Sequence, residues 1–152
     1  MKRHIALDAN LTILLVVGLT DPRLISKHKR LKAYDLKAWT LLKEAIGNSA
    51  GVLVTPNTLS EASNLLRQIG DPDKTRIMNT FRAFIQSAKE THVTSNDASS
   101  RNEFIRLGLA DCALLEVAKD DILILSVDVG LCLAAQTAGY EAWNFIHTWK
   151  GP

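Results

Sequence analysis

Hydrophobic positions along the chain follow two alternating patterns. Short apolar runs with the length of buried strands stand at 4–7, 51–55 and 122–126, and weaker ones at 92–94 and 142–145. Between them, apolar residues recur every three or four positions, which is typical of helices with one buried face. These helical patterns cover 33–46, 59–69, 77–88, 110–118 and 131–138, and a first helix after residue 8 is expected to end near Gly18.

Strands that alternate with helices need crossover connections, and such connections produce parallel sheets that are covered on both faces. We therefore expect an α/β protein, namely a three-layer α/β/α sandwich around a central, mainly parallel sheet of about five short strands. The sequence has no internal repeat, low-complexity tract or linker that would divide it. Residues 1–152 are accordingly predicted to form a single domain, with a basic loop or insertion at about 18–33.

The composition indicates an ordinary globular protein. Of the 152 residues, 47% are hydrophobic and 22% are charged, which is neither a disordered nor a membrane-embedded composition. The longest apolar run, 13–19, is far shorter than the ~20 residues that cross a bilayer, and the N-terminal stretch lacks the pattern of a signal peptide. We therefore expect a cytoplasmic protein without a membrane partner, in which Cys112 and Cys132 are reduced. The net charge of +2 permits a nucleic-acid partner without indicating one.

Four acidic residues stand at the ends of predicted strands or at the start of a helix. Asp8 follows the first strand and Asp128 follows the strongest one, while Glu61 is expected in the first turn of the helix after 51–55 and Asp111 opens the helix at 110–118. In open parallel sheets, ligands gather outside the carboxyl ends of the strands. Carboxylates packed together are costly unless they are protonated or neutralised, and hard oxygen ligands suit Mg²⁺ or Mn²⁺.

Each of these acids also has a purely structural interpretation. Asp8, Asp111 and Asp128 precede helical patterns and could each cap a helix, a contact worth about 1 kcal/mol. Glu61 stands three residues after Thr58, which is the spacing of a capping box. Capping and metal binding are compatible, because a carboxylate in the first turn points over the same edge of the sheet. The ordered set of four is what favours a functional site.

In their order and spacing, these motifs resemble those of the PIN domain family. The matching stretches are Asp8-Ala-Asn10, Leu59-Ser-Glu61, Gly108-Leu-Ala-Asp111 and Ser126-Val-Asp128, and the resemblance extends from about residue 4 to about residue 145. It implies a PIN-like fold and a Mg²⁺- or Mn²⁺-dependent nuclease, most often an endoribonuclease that hydrolyses RNA phosphodiester bonds. By position, the four acids match the catalytic quartet of the family.

The resemblance also implies roles and partners. Asp8, Asp111 and Asp128 would bind one or two metal ions directly, and Glu61 would bind directly or through water. Asn10 and Ser126 match the polar residues that hold these carboxylates in place, with local bonds in a turn as the alternative for both. Small bacterial members of the family include the toxins of VapBC-type toxin–antitoxin pairs. The candidate partners are therefore an RNA substrate, an antitoxin or other regulatory protein, and a second copy of the chain.

Two features depart from the pattern of these toxins. Many of them have a further acid shortly after the last aspartate, where this chain has Val129, Gly130 and Leu131. The stretch 18–35 is also longer and more basic than in a minimal toxin. As a flap it would bind RNA phosphates irrespective of base sequence, and a solvated loop is the alternative. The cations concerned are Arg23, Lys27, Lys29, Arg30 and Lys32.

Two other functions are compatible with parts of the pattern. A PIN-like fold can serve as an RNA-binding or assembly module without catalysis, which metal binding without cleavage would indicate. Asp8-Ala-Asn10-Leu-Thr12 also resembles the D-x-D-x-T motif of haloacid-dehalogenase-type phosphatases, although Asn10 replaces the second aspartate. Turnover of small phosphomonoesters would indicate that class.

Overall fold

The computed structural model describes residues 2–150, which form five strands and eight α-helices. The strands are β1 Ile5–Leu7, β2 Val52–Val54, β3 Lys89–Glu90, β4 Leu123–Ser126 and β5 Ala142–Asn144. The helices are α1 Ala9–Thr20, α2 Leu36–Gly47, α3 Pro56–Leu66, α4 Asp73–Ser87, α5 Ser95–Ser99, α6 Phe104–Ala118, α7 Val129–Thr137 and α8 Phe145–Lys150. Two short 3-10 turns, Pro22–Leu24 and Lys29–Leu31, lie between α1 and α2.

The strands form one parallel sheet in the order β3-β2-β1-β4-β5. Ala6 of β1 pairs with Leu53 on one side and with Ile124 on the other. The chain thus builds outward from β1 to β3 and then returns to the other side of β1 for β4 and β5. The carboxyl ends of β1 and β4 flank the point where the direction of winding reverses, which is where ligands bind in sheets of this kind.

Two hydrophobic layers cover the sheet, because successive strand residues point to opposite faces. Leu7 and Leu125 face the larger layer, which contains α1 to α4 and α8. Ala6 and Ile124 face the smaller layer, which contains α6 and α7. This confirms the predicted three-layer α/β/α sandwich around a parallel sheet of five short strands. Helix α1 is buried along most of its length in the larger layer, which explains why it is apolar on all sides.

Gly18 does not itself end α1: the helix continues two residues further, to Thr20, and Asp21 is its C-cap. Gly18 is needed for packing instead of termination. A Cβ on this residue would lie 2.0 Å from Nε1 of Trp39, so the indole ring of α2 occupies the space that a side chain would need. A glycine inside a helix costs about 1 kcal/mol relative to alanine, and here it permits the close contact between α1 and α2.

Other differences from the predicted elements are local. The third strand, β3, lies at Lys89–Glu90 and not at 92–94, and the polar stretch after it forms the short helix α5. Helix α6 begins at Phe104, earlier than predicted, and bends at Gly108. At the far end, Phe145 and Trp149 are buried in α8, whereas Trp143 on the edge strand is half exposed.

The segment 22–32, which we call the basic segment, is ordered by buried residues that the prediction of a loop did not anticipate. Leu24, Ile25 and Leu31 join the hydrophobic core. His28 is fully buried, with Nε2 3.1 Å from the carbonyl oxygen of Leu66 and Nδ1 accepting a bond from the Arg30 N–H at 3.1 Å. Burial and the charge of Arg30 lower the pKa of His28. The segment is therefore fastened to the C-terminal end of α3 by a neutral imidazole.

Within residues 2–150, no helix is both long enough and apolar enough to span a membrane.

Candidate functional site

Asp8 lies at the point where β1 ends and α1 begins, beside the end of β4. The residue is only 4% exposed. Its Oδ1 accepts a hydrogen bond from the Leu11 N–H at 2.8 Å, so it caps α1. Its Oδ2 accepts from the Val127 N–H at 3.0 Å and from the Ser126 hydroxyl. The Asp8 carboxylate is therefore fixed by the first turn of α1 and by the end of β4.

Ser126 connects Asp8 to the next acid. While its hydroxyl donates to Asp8, it accepts a bond from the Asp128 N–H at 2.9 Å. Asp128 in turn caps α7, with Oδ1 accepting from the Leu131 N–H at 3.1 Å, and its side chain is exposed. The Ser126 hydroxyl thus contacts the Asp8 carboxylate and the Asp128 backbone directly, as the role predicted for it requires. Asn10 is exposed and makes no side-chain hydrogen bond with the described residues.

Asp111 reaches the same region from α6. The helix bends at Gly108, whose φ of 82° and ψ of −178° lie in a region that L side chains avoid. Asp111 is the third residue after this bend, and it is half-buried inside the helix. The interpretation of Asp111 as a helix cap is therefore wrong, whereas Asp8 and Asp128 do cap their helices. Glycine at 108 is required by the backbone alone, since a Cβ there would meet no atom within 4 Å.

Glu61 lies in the second turn of α3 and not in the first turn as predicted. The cap of α3 is Thr55, whose hydroxyl accepts from the Thr58 N–H at 3.2 Å, and Pro56 follows at the first helical position. The predicted capping box between Thr58 and Glu61 is therefore wrong. Glu61 is exposed and lines a cavity of about 420 Å³ between α3 and α6. The other lining residues are Pro56, Asn57, Ser60, Leu109 and Ala110.

We call Asp8, Glu61, Asp111 and Asp128 the acid cluster, because the charges of the other three act on Asp111. Burial and the negative charges of Asp128, Asp8 and Glu61 raise the pKa of Asp111 to about 7 from its ordinary 3.8. Burial also raises the pKa of Asp8, against the opposing effect of its three hydrogen-bond donors. No salt bridge within residues 2–150 involves any of the four. The cluster is therefore a concentration of negative charge without a compensating side chain.

The donor atoms of the acid cluster suit a divalent cation, but the positions of its side chains do not yet form a binding site. Its donors are hard carboxylate oxygens, which Mg²⁺ and Mn²⁺ prefer. Among residues 2–150, however, no three Asp, Glu, His or Cys side chains converge closely enough to hold one ion. Asp8 and Asp128 are committed to helix caps, which leaves Asp111 and the exposed Glu61 as the carboxylates free to adjust. A cation would therefore be bound with movement of these side chains.

The Asp8 charge also reaches a residue that sequence reasoning missed. Burial and the charge of Asp8 raise the pKa of Tyr34 to about 12. Tyr34 follows the basic segment and stacks on Trp149 with ring centroids 5.4 Å apart. The chain that leaves the basic segment thus passes close to the acid cluster. The sequence places Tyr34 in the helical pattern 33–46, whereas α2 begins only at Leu36. That pattern predicts burial of Tyr34 but does not indicate that it lies near Asp8.

Of the predicted RNA-binding cations, two are engaged in local contacts. Arg23 forms a salt bridge with Asp21 at 2.9 Å, and Lys32 donates to the Ser26 carbonyl at 2.8 Å. Lys27, Lys29 and Arg30 are exposed and form no salt bridge with the described residues. These three are the cations of the basic segment that are available to bind phosphates.

The motif shared with haloacid-dehalogenase-type phosphatases gains no support from the contacts of Thr12. This residue is buried in α1, and its hydroxyl donates to the Asp8 carbonyl at 2.9 Å.

Cys112 and Cys132 are both buried and free. Burial and the charges of Asp8, Asp128 and Asp111 raise the pKa of Cys132 to about 11, so it is a poor nucleophile.

Comparisons of the chain with protein-family models, with curated proteins and with solved structures gave no match.

Proposed function

We propose that this chain is a Mg²⁺- or Mn²⁺-dependent endoribonuclease that hydrolyses RNA phosphodiester bonds at the acid cluster, as its resemblance to PIN domains implies. The observation that supports this most is Asp111, a half-buried carboxyl acted on by three others without a cation. Such an arrangement destabilises a fold, and a divalent cation would offset the repulsion. The cluster also lies at the edge of the sheet where α/β proteins bind ligands.

The residues of the acid cluster would have different roles, depending on whether hydrogen bonds hold their carboxylates in place. A bound Mg²⁺ or Mn²⁺ would polarise a phosphoryl oxygen and make water more acidic. Asp8 and Asp128, fixed by backbone N–H groups, would define where the ion binds. Asp111 would contribute a carboxylate whose charge is then neutralised. Glu61, exposed on the wall of the cavity, would orient the attacking water or accept its proton.

We propose that the basic segment holds the RNA. Lys27, Lys29 and Arg30 present exposed positive charge, while His28 keeps their backbone in place. Phosphate contacts of this kind bind RNA without reading its sequence. A narrower part of the proposal, that the chain is the toxin of a VapBC-type pair, requires an antitoxin that covers the acid cluster.

The proposal is tested by RNA cleavage with Mg²⁺, Mn²⁺ or EDTA, using a pool of single-stranded and structured RNA. Asp8→Asn is expected to lower the rate on the order of a thousandfold, because it removes several kcal/mol of stabilisation at the site. Asp120→Asn, which changes an exposed aspartate elsewhere, is the matched control and should cleave like the original chain. Metal-dependent cleavage that survives Asp8→Asn would refute the assignment of the site. Metal-dependent thermal stabilisation without cleavage would instead indicate a silent RNA-binding module.

A further inference from the structure

Gly130 is the second residue of α7, two positions after Asp128. The atoms around it leave very little space for a side chain. A Cβ at this position would lie 3.2 Å from Oδ1 of Asp128 and 3.3 Å from Cδ2 of Leu107. Both distances are shorter than ordinary van der Waals contact. Neither φ nor ψ makes glycine necessary here, because Gly130 lies in a regular helix and is not among the residues with positive φ. The requirement at this position is therefore the close approach itself.

Neither neighbour can move away freely. The same Oδ1 of Asp128 accepts the hydrogen bond from the Leu131 N–H at 3.1 Å, so a displaced carboxylate would lose the cap of α7. Leu107 packs against two hydrophobic clusters, and it immediately precedes the bend at Gly108. A side chain at 130 would therefore push on the Asp128 carboxylate, on the bend of α6, or on both.

This contact joins the two elements that carry Asp111 and Asp128. Asp111 follows the bend by three residues, and the Asp128 charge acts on it directly. We propose that Gly130 is a positioning residue of the acid cluster: the absence of a side chain lets the start of α7 approach the bend of α6, which sets the separation of the Asp111 and Asp128 carboxylates. This inference rests on the proposed function for its catalytic consequence, but not for its structural one.

The test compares Gly130→Ala with Gly47→Ala. Gly47 is also a helical glycine, at the end of α2, and a Cβ there would meet no atom within 4 Å. Since alanine is the better helix former, both variants are expected to fold. Only Gly130→Ala should speed amide exchange at Leu131 in the metal-free protein, reduce the thermal stabilisation by Mn²⁺ and lower cleavage about tenfold, because a site displaced by tenths of an ångström loses part of its rate.

Adding Leu107→Val to Gly130→Ala should restore much of the loss, because valine lacks the Cδ2 atom that the new methyl group meets. Equal Leu131 exchange and equal Mn²⁺ response in Gly130→Ala and Gly47→Ala would overturn the inference. If the original chain neither cleaves RNA nor responds to Mn²⁺, the proposed function fails by itself. In that case the Leu131 exchange still decides the inference, since this measurement requires neither metal nor activity.

Discussion

Helix α6 carries carboxylates in two opposite electrostatic environments. Near its ends, Arg101 donates to Glu116 at 2.5 Å and to Glu103 at 3.1 Å, and Lys119 donates to Glu116 at 2.7 Å. Hydrogen bonds from these cations hold the pKa of Glu116 below its ordinary value although burial acts in the other direction, and the Arg101 bond lowers the pKa of Glu103. In the middle of the same helix, the pKa of Asp111 is raised to about 7.

The difference separates an acid that holds the fold together from one that the fold merely tolerates. Glu116 and Glu103 have their charges matched by side chains, so they need no further partner. The charges of other acids act on Asp111, so its ionised carboxylate lowers the free energy of unfolding. Structure that costs stability without an internal partner is typical of functional sites. The two environments therefore predict opposite consequences when each carboxylate is neutralised.

Asp111→Asn is expected to have the largest effect on activity and to raise stability. On the proposed function, cleavage should fall on the order of a thousandfold, since the proposed metal site would lose a charged ligand. Because the folded pKa of about 7 exceeds the ordinary 3.8, the folded state holds its proton more tightly. The free energy of unfolding of the original chain should therefore fall as the pH rises from about 4 to about 7, by about 2 kcal/mol after solvent screening.

Thermal unfolding of the original chain and of Asp111→Asn between pH 4 and pH 8 measures this effect. The variant should lose less stability across that range, because the raised pKa of Asp8 remains, and it should melt a few degrees higher at pH 8. A variant that is less stable than the original chain at pH 8 would show that Asp111 has a stabilising partner, and the contrast with Glu116 would disappear.

Glu116→Gln should show the reverse behaviour. It leaves Arg101 paired only with Glu103, so we expect a loss of about 1–2 kcal/mol and a melting temperature lower by about 3–6 °C at pH 7. Because the pKa of Glu116 is lowered, its stabilisation is present above its ordinary value of 4.5 and is lost as the pH falls below it. Cleavage per folded molecule should not change. A change in the metal requirement of this variant would contradict the distinction between the two environments.

A smaller effect, on RNA affinity, is expected from the exposed cations of the basic segment. These cations differ from Lys119 in the same way that Asp111 differs from Glu116, since they form no salt bridge with the described residues. Replacing Lys27, Lys29 and Arg30 with Gln should reduce the slope of log affinity against log salt for single-stranded RNA by about 2. The melting temperature should stay within about 2 °C, since these side chains form no salt bridge with the described residues. The matched control is Lys119→Gln, which removes a paired cation and should leave the salt slope unchanged. An unchanged slope in the triple variant would remove the basic segment from the RNA-binding proposal.

Much of the fold could be predicted because periodicity reports burial directly. The runs that became β1, β2 and β4 are short and apolar on both faces, as central parallel strands are. The run at 92–94 failed because a two-residue edge strand, Lys89–Glu90, has no apolar pattern at all. Gly18 was misread because a glycine that ends a helix and a glycine that accommodates Trp39 look the same in sequence.

The candidate site was predictable in its members and not in its geometry. Acids after apolar runs identified Asp8 and Asp128, and the parallel sheet brings them to one edge. The Thr55-Pro56 pair was the available signal that α3 begins early and puts Glu61 in the second turn. Nothing local in the sequence indicates that Gly130 lies against Leu107, because that contact depends on how α6 and α7 pack.

The hydrogen bond between Ser126 and Asp8 joins residues 118 positions apart along the chain. Contacts of such separation form late, because the intervening chain must first be ordered. A ribosome releases residues in order, so a growing chain holds Asp8 long before Ser126 and the cap of α7 exist. The acid cluster consequently cannot assemble on a nascent chain until β4 and the start of α7 have emerged. On the proposed function, the active site would therefore be complete only when nearly the whole described chain has been made.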